Sequence, residues 1–334
     1  MKSILTFILA LLIGSAAYGQ EKRMAVVEFS TSYLRLQPDY ESPLETQELM
    51  GTVVEIVGES GYWREVQTPQ PYKAWCTDQG LVEMNAEELK AYEDAPKVIF
   101  TGLYGHVYMW PSEKADTICD LVGGDVMRFV SRKGRWIMVM LPSGKTGYVP
   151  SKLLKKHEGF VSIAMGEGSA ESISPETTEA IIAQAEKLLG VPYLWGGMSA
   201  KGVDCSGLVR ISHIMNGILL PRNASQQIKC GDRIAMEVDP SFHEDGSRTN
   251  ADESYSEAFV GQMKARVKNL QRGDLVYFGT PATTDKPMRV THVGIYLGDN
   301  RIIHSSHRVR INSLIPGDAD YYENAHRLIA ATRL

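Results

Sequence analysis

The chain has 334 residues, 43% hydrophobic and 22% charged, a composition that suits several packed cores and excludes disorder over most of its length. Its 35 Lys and Arg against 40 Asp and Glu give a net charge of -5. Since binding to phosphates needs a surplus of basic residues, nucleic acid is excluded as the main partner. The 4 cysteines are too few for a disulfide framework in a chain of this size, and the sequence leaves their pairing open.

Residues 1–19 have the three parts of a secretion signal. A short basic start precedes an apolar run from Ile4 to Ile13, which is too short to span a bilayer, and small residues follow up to Gly19. Cleavage there would leave Gln20 as the new N-terminus, and no later stretch is apolar enough to cross a membrane. We therefore expect a protein exported to the periplasm or the extracellular space. The alternative is a buried N-terminal helix.

Two stretches of the chain repeat at an offset of 73 residues. The coinciding positions include glycine, proline and tryptophan pairs, namely Pro38 with Pro111, Gly51 with Gly124, Gly61 with Gly134, and Trp63 with Trp136. Short strands separated by turn residues are predicted in each unit, at Thr52–Val57, Trp63–Thr68, Lys73–Cys76, Val126–Ser131 and Trp136–Leu141. The repeat therefore predicts two small all-β modules, over residues 24–84 and 97–156.

The Gly-x-Trp pair, the proline-containing turn and the aromatic strand that follows resemble bacterial Src-homology-3-like domains. The resemblance implies that each module is a small β-barrel. After them, residues 157–174 have the Gly, Ser and Glu content of an exposed linker.

A helix is predicted to begin after this linker. Ser174 suits the N-cap, Pro175 suits the first helical position, and Gly190 suits the end. The apolar residues that share one face at helical spacing are Ile181, Ile182, Ala185, Leu188 and Leu189.

Cys205 lies at the start of a second predicted helix. Asp204 is placed to cap this helix, so Cys205 falls in the first turn, where backbone N–H groups and the helix dipole favour a thiolate with a lowered pKa. The alternative is a buried structural cysteine. The polar and small flanking residues favour a reactive thiol.

A β-hairpin is predicted to carry two histidines. Residues 289–297 alternate as a strand and residues 301–306 return. With a three-residue loop, Leu297 pairs with Arg301, His304 lies opposite Gly294, and His292 lies on the same face as His304. A two-residue loop would put the histidines on opposite faces. The prediction therefore depends on an odd loop, which Asn300 in a left-handed conformation would suit.

These residues predict nucleophilic catalysis, in which a thiolate is paired with an imidazole base and a second polar group orients that base. Two alternatives belong to other classes. One is a non-catalytic protein whose β-modules bind cell-wall glycan or peptide. The other is a zinc site built from Cys205, His292 and His304, although these residues lack the usual local ligand spacing.

The motifs resemble those of NlpC-type cell-wall peptidases, which are papain-like cysteine peptidases of the α+β class. The residues that carry the resemblance are Tyr193–Gly197, Asp204–Gly207, Arg272–Leu275, Thr291–Tyr296 and His304. The match covers residues 175–334 and implies a domain with Cys205 as nucleophile, His292 as general base and acid, and His304 as the orienting residue. It also implies an enzyme without a cofactor or metal.

The same resemblance implies a substrate and further site residues. Tyr193 and the backbone amide of Cys205 would stabilise the oxyanion, while Asp204 and Ser206 would line the substrate cleft. The family cleaves peptide bonds in the stem peptides of peptidoglycan, typically the bond after γ-linked D-glutamate, which leads to a diamino acid.

Members with two N-terminal Src-homology-3-like domains are of the dipeptidyl-peptidase VI type and act on stem peptides with a free L-Ala amine. Tyr72 resembles the tyrosine that closes off the amino end of the substrate in those enzymes. Asn223 stands where an Asp is expected, and Pro43 stands where an acid is expected, with Glu45 nearby. Residues 232–266 are unusually polar, which predicts a long surface insertion.

Overall fold

The structure, a computed structural model, describes residues 22–69, 72–166, 173–236 and 256–334. The segment predicted to be a secretion signal, residues 1–19, lies outside these ranges. Two seven-stranded antiparallel sheets come first, and a mixed α and β region follows. In the described part of the chain, no helix combines the length and the apolar character that crossing a membrane would require.

The first β-module contains seven strands in the order β3-β2-β6-β5-β4-β1-β7. The strands are β1 Arg23–Val27, β2 Thr31–Arg35, β3 Leu44–Leu49, β4 Val53–Ser60, β5 Trp63–Gln67, β6 Lys73–Thr77 and β7 Leu81–Met84. Alternate residues point inward, so that Leu34, Val54 and Val66 are buried in one apolar cluster. Helix α1, Ala86–Asp94, connects this module to the next.

The second β-module repeats the same strand order, as β10-β9-β13-β12-β11-β8-β14. Its strands are β8 Lys97–Phe100, β9 Tyr104–Tyr108, β10 Thr117–Val122, β11 Val126–Lys133, β12 Trp136–Met140, β13 Thr146–Pro150 and β14 Leu154–His157. Gly61 and Gly134 both have a φ of +59°, in the turn just before the tryptophan of each module. The predicted repeat of two all-β units is confirmed, and its glycines recur because both turns need a left-handed residue.

In the third region, the described residues form ten strands and four α-helices. Its strands are β15 Val161–Ser162, β16 Met198–Ser199, β17 Gly202–Val203, β18 Ile218–Leu219, β19 Asp232–Arg233, β20 Leu275–Thr280, β21 Arg289–Gly298, β22 Arg301–Ser306, β23 Arg308–Ser313 and β24 Leu328–Arg333. Its helices are α2 Pro175–Lys187, α3 Cys205–Ile214, α4 Ala224–Gln227 and α5 Glu257–Val267. Six strands form the main sheet, in the order β19-β24-β20-β21-β22-β23.

Both β-modules pack against the third region through a shared apolar cluster. Leu49 of the first module and Val122 of the second belong to the same cluster as Ile211 and Ile214 of α3. A Cβ atom at Gly124 would lie only 2.7 Å from Leu49 Cδ1 and 2.8 Å from Ile211 Cδ1. Glycine at this position therefore lets the three regions meet in one core.

The predicted helix at Ser174 is confirmed, with one exception on its apolar face. The Ser174 hydroxyl accepts a hydrogen bond from the N–H of Thr177, and Pro175 occupies the first turn. The prediction for Leu189 is wrong, since this side chain is 46% exposed. The helix ends at Lys187, so Leu189 no longer follows the helical spacing.

Two segments that we expected to lie on the surface contribute to the packed structure. Val161–Ser162, within the predicted linker, pairs with β18 in parallel orientation. In the predicted insertion, helix α5 buries Phe259 and Met263 in a second apolar cluster. Residues 167–172 and 237–255 lie outside the described residues. The polar composition of the two segments had concealed a short backbone pairing in the first and the apolar contacts of α5 in the second.

Candidate active site

Cys205 occupies the first position of α3, as the sequence predicts. The carboxylate of Asp204 accepts a hydrogen bond from the N–H of Gly207 at 2.7 Å, which caps the helix. The same carboxylate accepts the N–H of Gly196 at 3.0 Å and thereby fixes the preceding turn. The N–H of a first helical residue has no partner four residues earlier within its helix, so the amide of Cys205 suits the predicted oxyanion role.

Asp204 and Ser206 are held in a buried network around Arg222, a residue that the sequence analysis missed. Arg222 donates to Asp204 at 2.6 Å and 3.1 Å and to the hydroxyl of Ser206 at 3.0 Å. Asp204 is 7% exposed and Ser206 is 6% exposed. Both side chains bond inward and position the loop of Cys205, and their place along the substrate cleft stays a prediction.

The two histidines lie on one face of the sheet, as predicted, but the turn differs from the predicted one. His304 lies opposite Gly294, whereas Arg301 pairs with Gly298 instead of Leu297. The turn has two residues, Asp299 and Asn300, both with positive φ, and a bulge precedes it. The bulge adds one residue to β21, which has the same effect on the register as a third loop residue. His292 and His304 therefore lie on the same face of the sheet despite the two-residue turn.

The histidines form a hydrogen-bonded chain with Asn312 of β23. His292 Nε2 lies 2.8 Å from His304 Nδ1, and His304 Nε2 lies 3.0 Å from Asn312 Oδ1. Asn312 Nδ2 in turn donates to the backbone carbonyl of Asp320 at 2.6 Å. Asn312 was missed because nothing in the sequence distinguishes it from other polar residues on a strand. It lies eight residues after His304, which the alternation of the next strand could have revealed.

This series of hydrogen bonds determines which ring nitrogens of the two histidines carry a hydrogen. Since Nδ2 of Asn312 is its donor end, Oδ1 accepts, so Nε2 of His304 must carry a hydrogen. A neutral His304 then has a lone pair on Nδ1, which accepts the N–H from Nε2 of His292. The remaining nitrogen of His292, Nδ1, keeps its lone pair and is free to act as a base.

Burial sets the charges of Cys205 and of the two histidines. It raises the pKa of Cys205 to about 12, although the backbone N–H groups of Val293 and Ser206 oppose this shift. Burial also lowers the pKa of His292 to about 3 and that of His304 to about 4. The expected low pKa of the thiol is therefore wrong for the free site, because loss of solvent outweighs the helix dipole and the N–H groups. Thiol and imidazole are both neutral near pH 7.

A groove of about 400 Å³ opens beside His292, and Tyr193 and Tyr322 line it. The ring of Tyr322 lies 5.7 Å from that of His292 and 4.5 Å from that of His304, measured between centroids. Burial raises the pKa of Tyr193, and the charge of Cys205 raises it further, which places this hydroxyl near the sulfur. Burial likewise raises the pKa of Tyr322 to about 12, so both phenols remain protonated and able to donate near pH 7.

The remaining predicted residues come together where the first β-module meets the third region. The hydroxyl of Tyr72 donates to Asn223 Oδ1 at 2.7 Å. The charge of Glu45 raises the pKa of Tyr72, after the larger effect of burial, so Glu45 lies near this pair. Strand β3 is anchored there because Thr46 and Gln47 accept hydrogen bonds from Arg222 and from the N–H of Met198, at 2.8 Å each.

All four cysteines are free thiols in the structure. Within the described ranges, no three or more side chains of His, Cys, Asp or Glu are grouped so that they could hold a metal ion.

Comparison with known proteins gives a consistent result. Residues 190–326 match the family described as the NlpC/P60 family. The chain is 26% identical over 298 residues to a γ-D-glutamyl-L-lysine dipeptidyl-peptidase of Bacillus cereus. The aligned region covers 86% of this chain and 75% of that protein. It is also 26% identical over 298 residues to dipeptidyl-peptidase 6 of Lysinibacillus sphaericus, covering 87% of this chain and 91% of that protein.

A solved structure supports the fold over nearly the whole chain. An NlpC/P60 family protein from Bacillus cereus superposes with a TM-score of 0.68 at 22% identity, covering 93% of this chain and 99% of that one. Residues 190–326 therefore form an NlpC/P60 domain, and the protein is a cysteine peptidase homologous to γ-D-glutamyl-L-lysine dipeptidyl-peptidases.

Proposed function

We propose that this NlpC/P60 cysteine peptidase hydrolyses the bond between γ-D-glutamate and the diamino acid of peptidoglycan stem peptides, with Cys205 as nucleophile. The observation that carries the proposal is the 2.8 Å contact between His292 and His304, which leaves Nδ1 of His292 as the free base. The sulfur of Cys205 interacts with the backbone N–H of Val293, the residue next to His292, so nucleophile and base are neighbours.

The first step is attack of the sulfur of Cys205 on the γ-carbonyl carbon of D-glutamate. Nδ1 of His292 accepts the thiol proton as the carbon–sulfur bond forms, which keeps the buried site neutral overall. The Cys205 amide and the Tyr193 hydroxyl donate to the oxyanion. His292 then gives its proton to the amino group of the diamino acid, which leaves. A water molecule then attacks the thioester and gives a proton to Nδ1 of His292, and His292 passes this proton to the departing sulfur, which restores the thiol and releases L-Ala-γ-D-Glu.

Product analysis of a single variant tests this proposal. Wild-type protein should convert L-Ala-γ-D-Glu-L-Lys to L-Ala-γ-D-Glu and free lysine, and Cys205→Ala should form neither product. Cys230→Ala is the matched control, since this cysteine is also buried but its sulfur donates to the backbone carbonyl of Gln226. Equal product formation by Cys205→Ala and wild type would refute the assignment of the nucleophile.

We further propose that Tyr72, Asn223 and Glu45 receive the free amino group of L-Ala. Asn223 is neutral, so its contact with Tyr72 positions the pair without offering a charge. The carboxylate of Glu45 makes no ion pair with another described residue and supplies the negative charge for an ammonium group.

The amino-end assignment has its own test. The tripeptide with a free amine should be cleaved faster than its N-acetylated copy, and Glu45→Gln should reduce this ratio at least about tenfold because it removes a charged hydrogen-bond acceptor. Glu41→Gln, which changes a nearby exposed acid, is the control. Equal rates for free and acetylated peptides would contradict the assignment.

We also propose that the protein is exported by a signal peptide formed by residues 1–19, which lie outside the described residues. N-terminal sequencing of protein from the producing cell should begin at Gln20. A mature chain that retains Met1 would overturn this proposal.

A further inference from the structure

The groove beside His292 is a separate compartment from the cluster that we assign to the amino end. Its lining includes Tyr193 and His292, which flank the reacting sulfur, and none of Tyr72, Glu45 and Asn223. If the proposed function holds, the acyl part of the substrate, L-Ala-γ-D-Glu, extends from the sulfur towards Tyr72. The groove on the other side of the sulfur then receives the leaving group, which is the diamino acid.

The charges in this groove have one sign. Among its described lining residues, Arg327 is a full cation and none is Asp or Glu. Arg327 follows Asn324 in a short helical turn, Ala325–Arg327, and its half-buried side chain makes no hydrogen bond or ion pair with another described residue. Cations elsewhere in the third region, such as Arg272 and Arg301, have carboxylate partners. Arg327 is thus placed as a binding group.

A second cation, on the main sheet, adds to the positive electrostatic potential of the groove. Arg310 pairs directly with His304 across β22 and β23, so both side chains leave the same face. Its Nε is buried without a hydrogen-bond partner, and its charge lowers the pKa of His292 and of His304. Uncompensated positive charge at this end of the site disfavours an ammonium group and favours an anion.

We propose that Arg327 binds a carboxylate of the leaving diamino acid, an inference that rests on the proposed function. The planar guanidinium matches a carboxylate with two parallel hydrogen bonds, which fixes orientation as well as charge. Two sources offer this group. One is the α-carboxylate of a diamino acid at the end of a free tripeptide, and the other is the side-chain carboxylate of a diaminopimelate-type residue.

Four substrates separate the two sources. They are L-Ala-γ-D-Glu-L-Lys, its C-terminal amide, the corresponding meso-diaminopimelate peptide, and that peptide with its side-chain carboxyl amidated. For wild-type protein, masking the carboxylate that Arg327 binds should lower kcat/KM about tenfold or more, the usual effect of a charge-assisted pair. A loss with the first amide identifies the α-carboxylate, and a loss with the second amide alone identifies the side-chain carboxylate.

The variant Arg327→Gln completes the test. On the unmodified peptide whose carboxylate Arg327 binds, this variant should lower kcat/KM by the same factor as amidation does for wild type. It should lose nothing further when that carboxylate is amidated. Equal residual cleavage of the two peptides also shows that the variant is folded and active. Arg289→Gln, on the same strand as His292 but exposed and outside the groove, is the control. Equal rates of Arg327→Gln and wild type on all four peptides would overturn this inference alone. No cleavage of any peptide by wild type would overturn the proposed function as well.

Discussion

The proposed catalytic hairpin, which carries His292 and His304, and the proposed amino-end cluster of Tyr72, Asn223 and Glu45 are built in opposite ways. His292, His304 and Asn312 lie within one meander of three consecutive strands, and each contacts the next. Tyr72 and Asn223 are 151 residues apart and meet only because the first β-module packs on the third region. The first site needs a correct hairpin register, whereas the second needs a correct interface between domains. Damage to the hairpin should therefore reduce kcat, and damage to the interface should raise KM.

The largest effect is expected from the hairpin itself. His292→Ala removes the proposed base and should lower kcat about a thousandfold, while His304→Ala should lower it roughly a hundredfold. Because the two rings act as one unit, the double variant should be no slower than His292→Ala. His106→Ala, in the second β-module, is the control, and steady-state kinetics on the tripeptide provide the measurement. Additive losses in the double variant would contradict a shared role.

The reactivity of Cys205 tests how the hairpin sets charge. Because burial raises the pKa of the thiol to about 12, the thiolate fraction increases as pH rises towards that value. Alkylation by iodoacetamide should therefore accelerate about tenfold per pH unit between pH 7 and 9. Cys205→Ala measures the background from the other three cysteines. A rate that is already maximal at pH 5 would mean that a thiolate and an imidazolium exist before substrate binds.

A smaller effect is expected at the end of the hydrogen-bonded chain. Asn312→Leu removes the acceptor of His304 and should lower kcat about tenfold with little change in KM. Asn312→Asp keeps an acceptor and adds a negative charge, so it should raise the pKa of His304 and shift the acid limb of the pH profile upward. An unchanged pH profile in Asn312→Asp would show that Asn312 serves only the stability of β23.

The smallest effect is expected at the interface. Tyr72→Phe removes one neutral hydrogen bond and leaves the ring in place, so KM for the free-amine tripeptide should rise about fivefold at nearly constant kcat. The N-acetylated peptide should be unaffected. A fall in kcat with unchanged KM would mean that Tyr72 acts on the chemistry and that the two sites are not separate.

The difference between the two sites also explains what could be predicted from the sequence. The facing of His292 and His304 follows from alternation along two strands, so it was predictable even though the bulge before Asp299 was not. Cys205 was predictable because Asp204 caps its helix locally.

The buried partner Arg222 was not predictable from the sequence, because it acts through contacts with Asp204 and Thr46, which are distant along the chain. Asn312 is only eight residues from His304, and the alternation along β23 was the one signal that could have indicated it. The neutral state of Cys205 was missed for the same reason as Arg222. Its helix N-terminus is a local feature, whereas its burial depends on packing against the sheet.

The protonation of His292 in the free enzyme tests the central claim most directly. NMR spectra that correlate ring nitrogens with ring hydrogens, on protein with nitrogen-15-labelled histidine, report the tautomer, and His292→Ala supplies the assignment. At pH 7 we predict hydrogen on Nε2 and a bare Nδ1 for both His292 and His304. A spectrum with hydrogen on Nδ1 of His292, alone or in a fully protonated ring, would contradict the hydrogen-bonded chain and the proposed base.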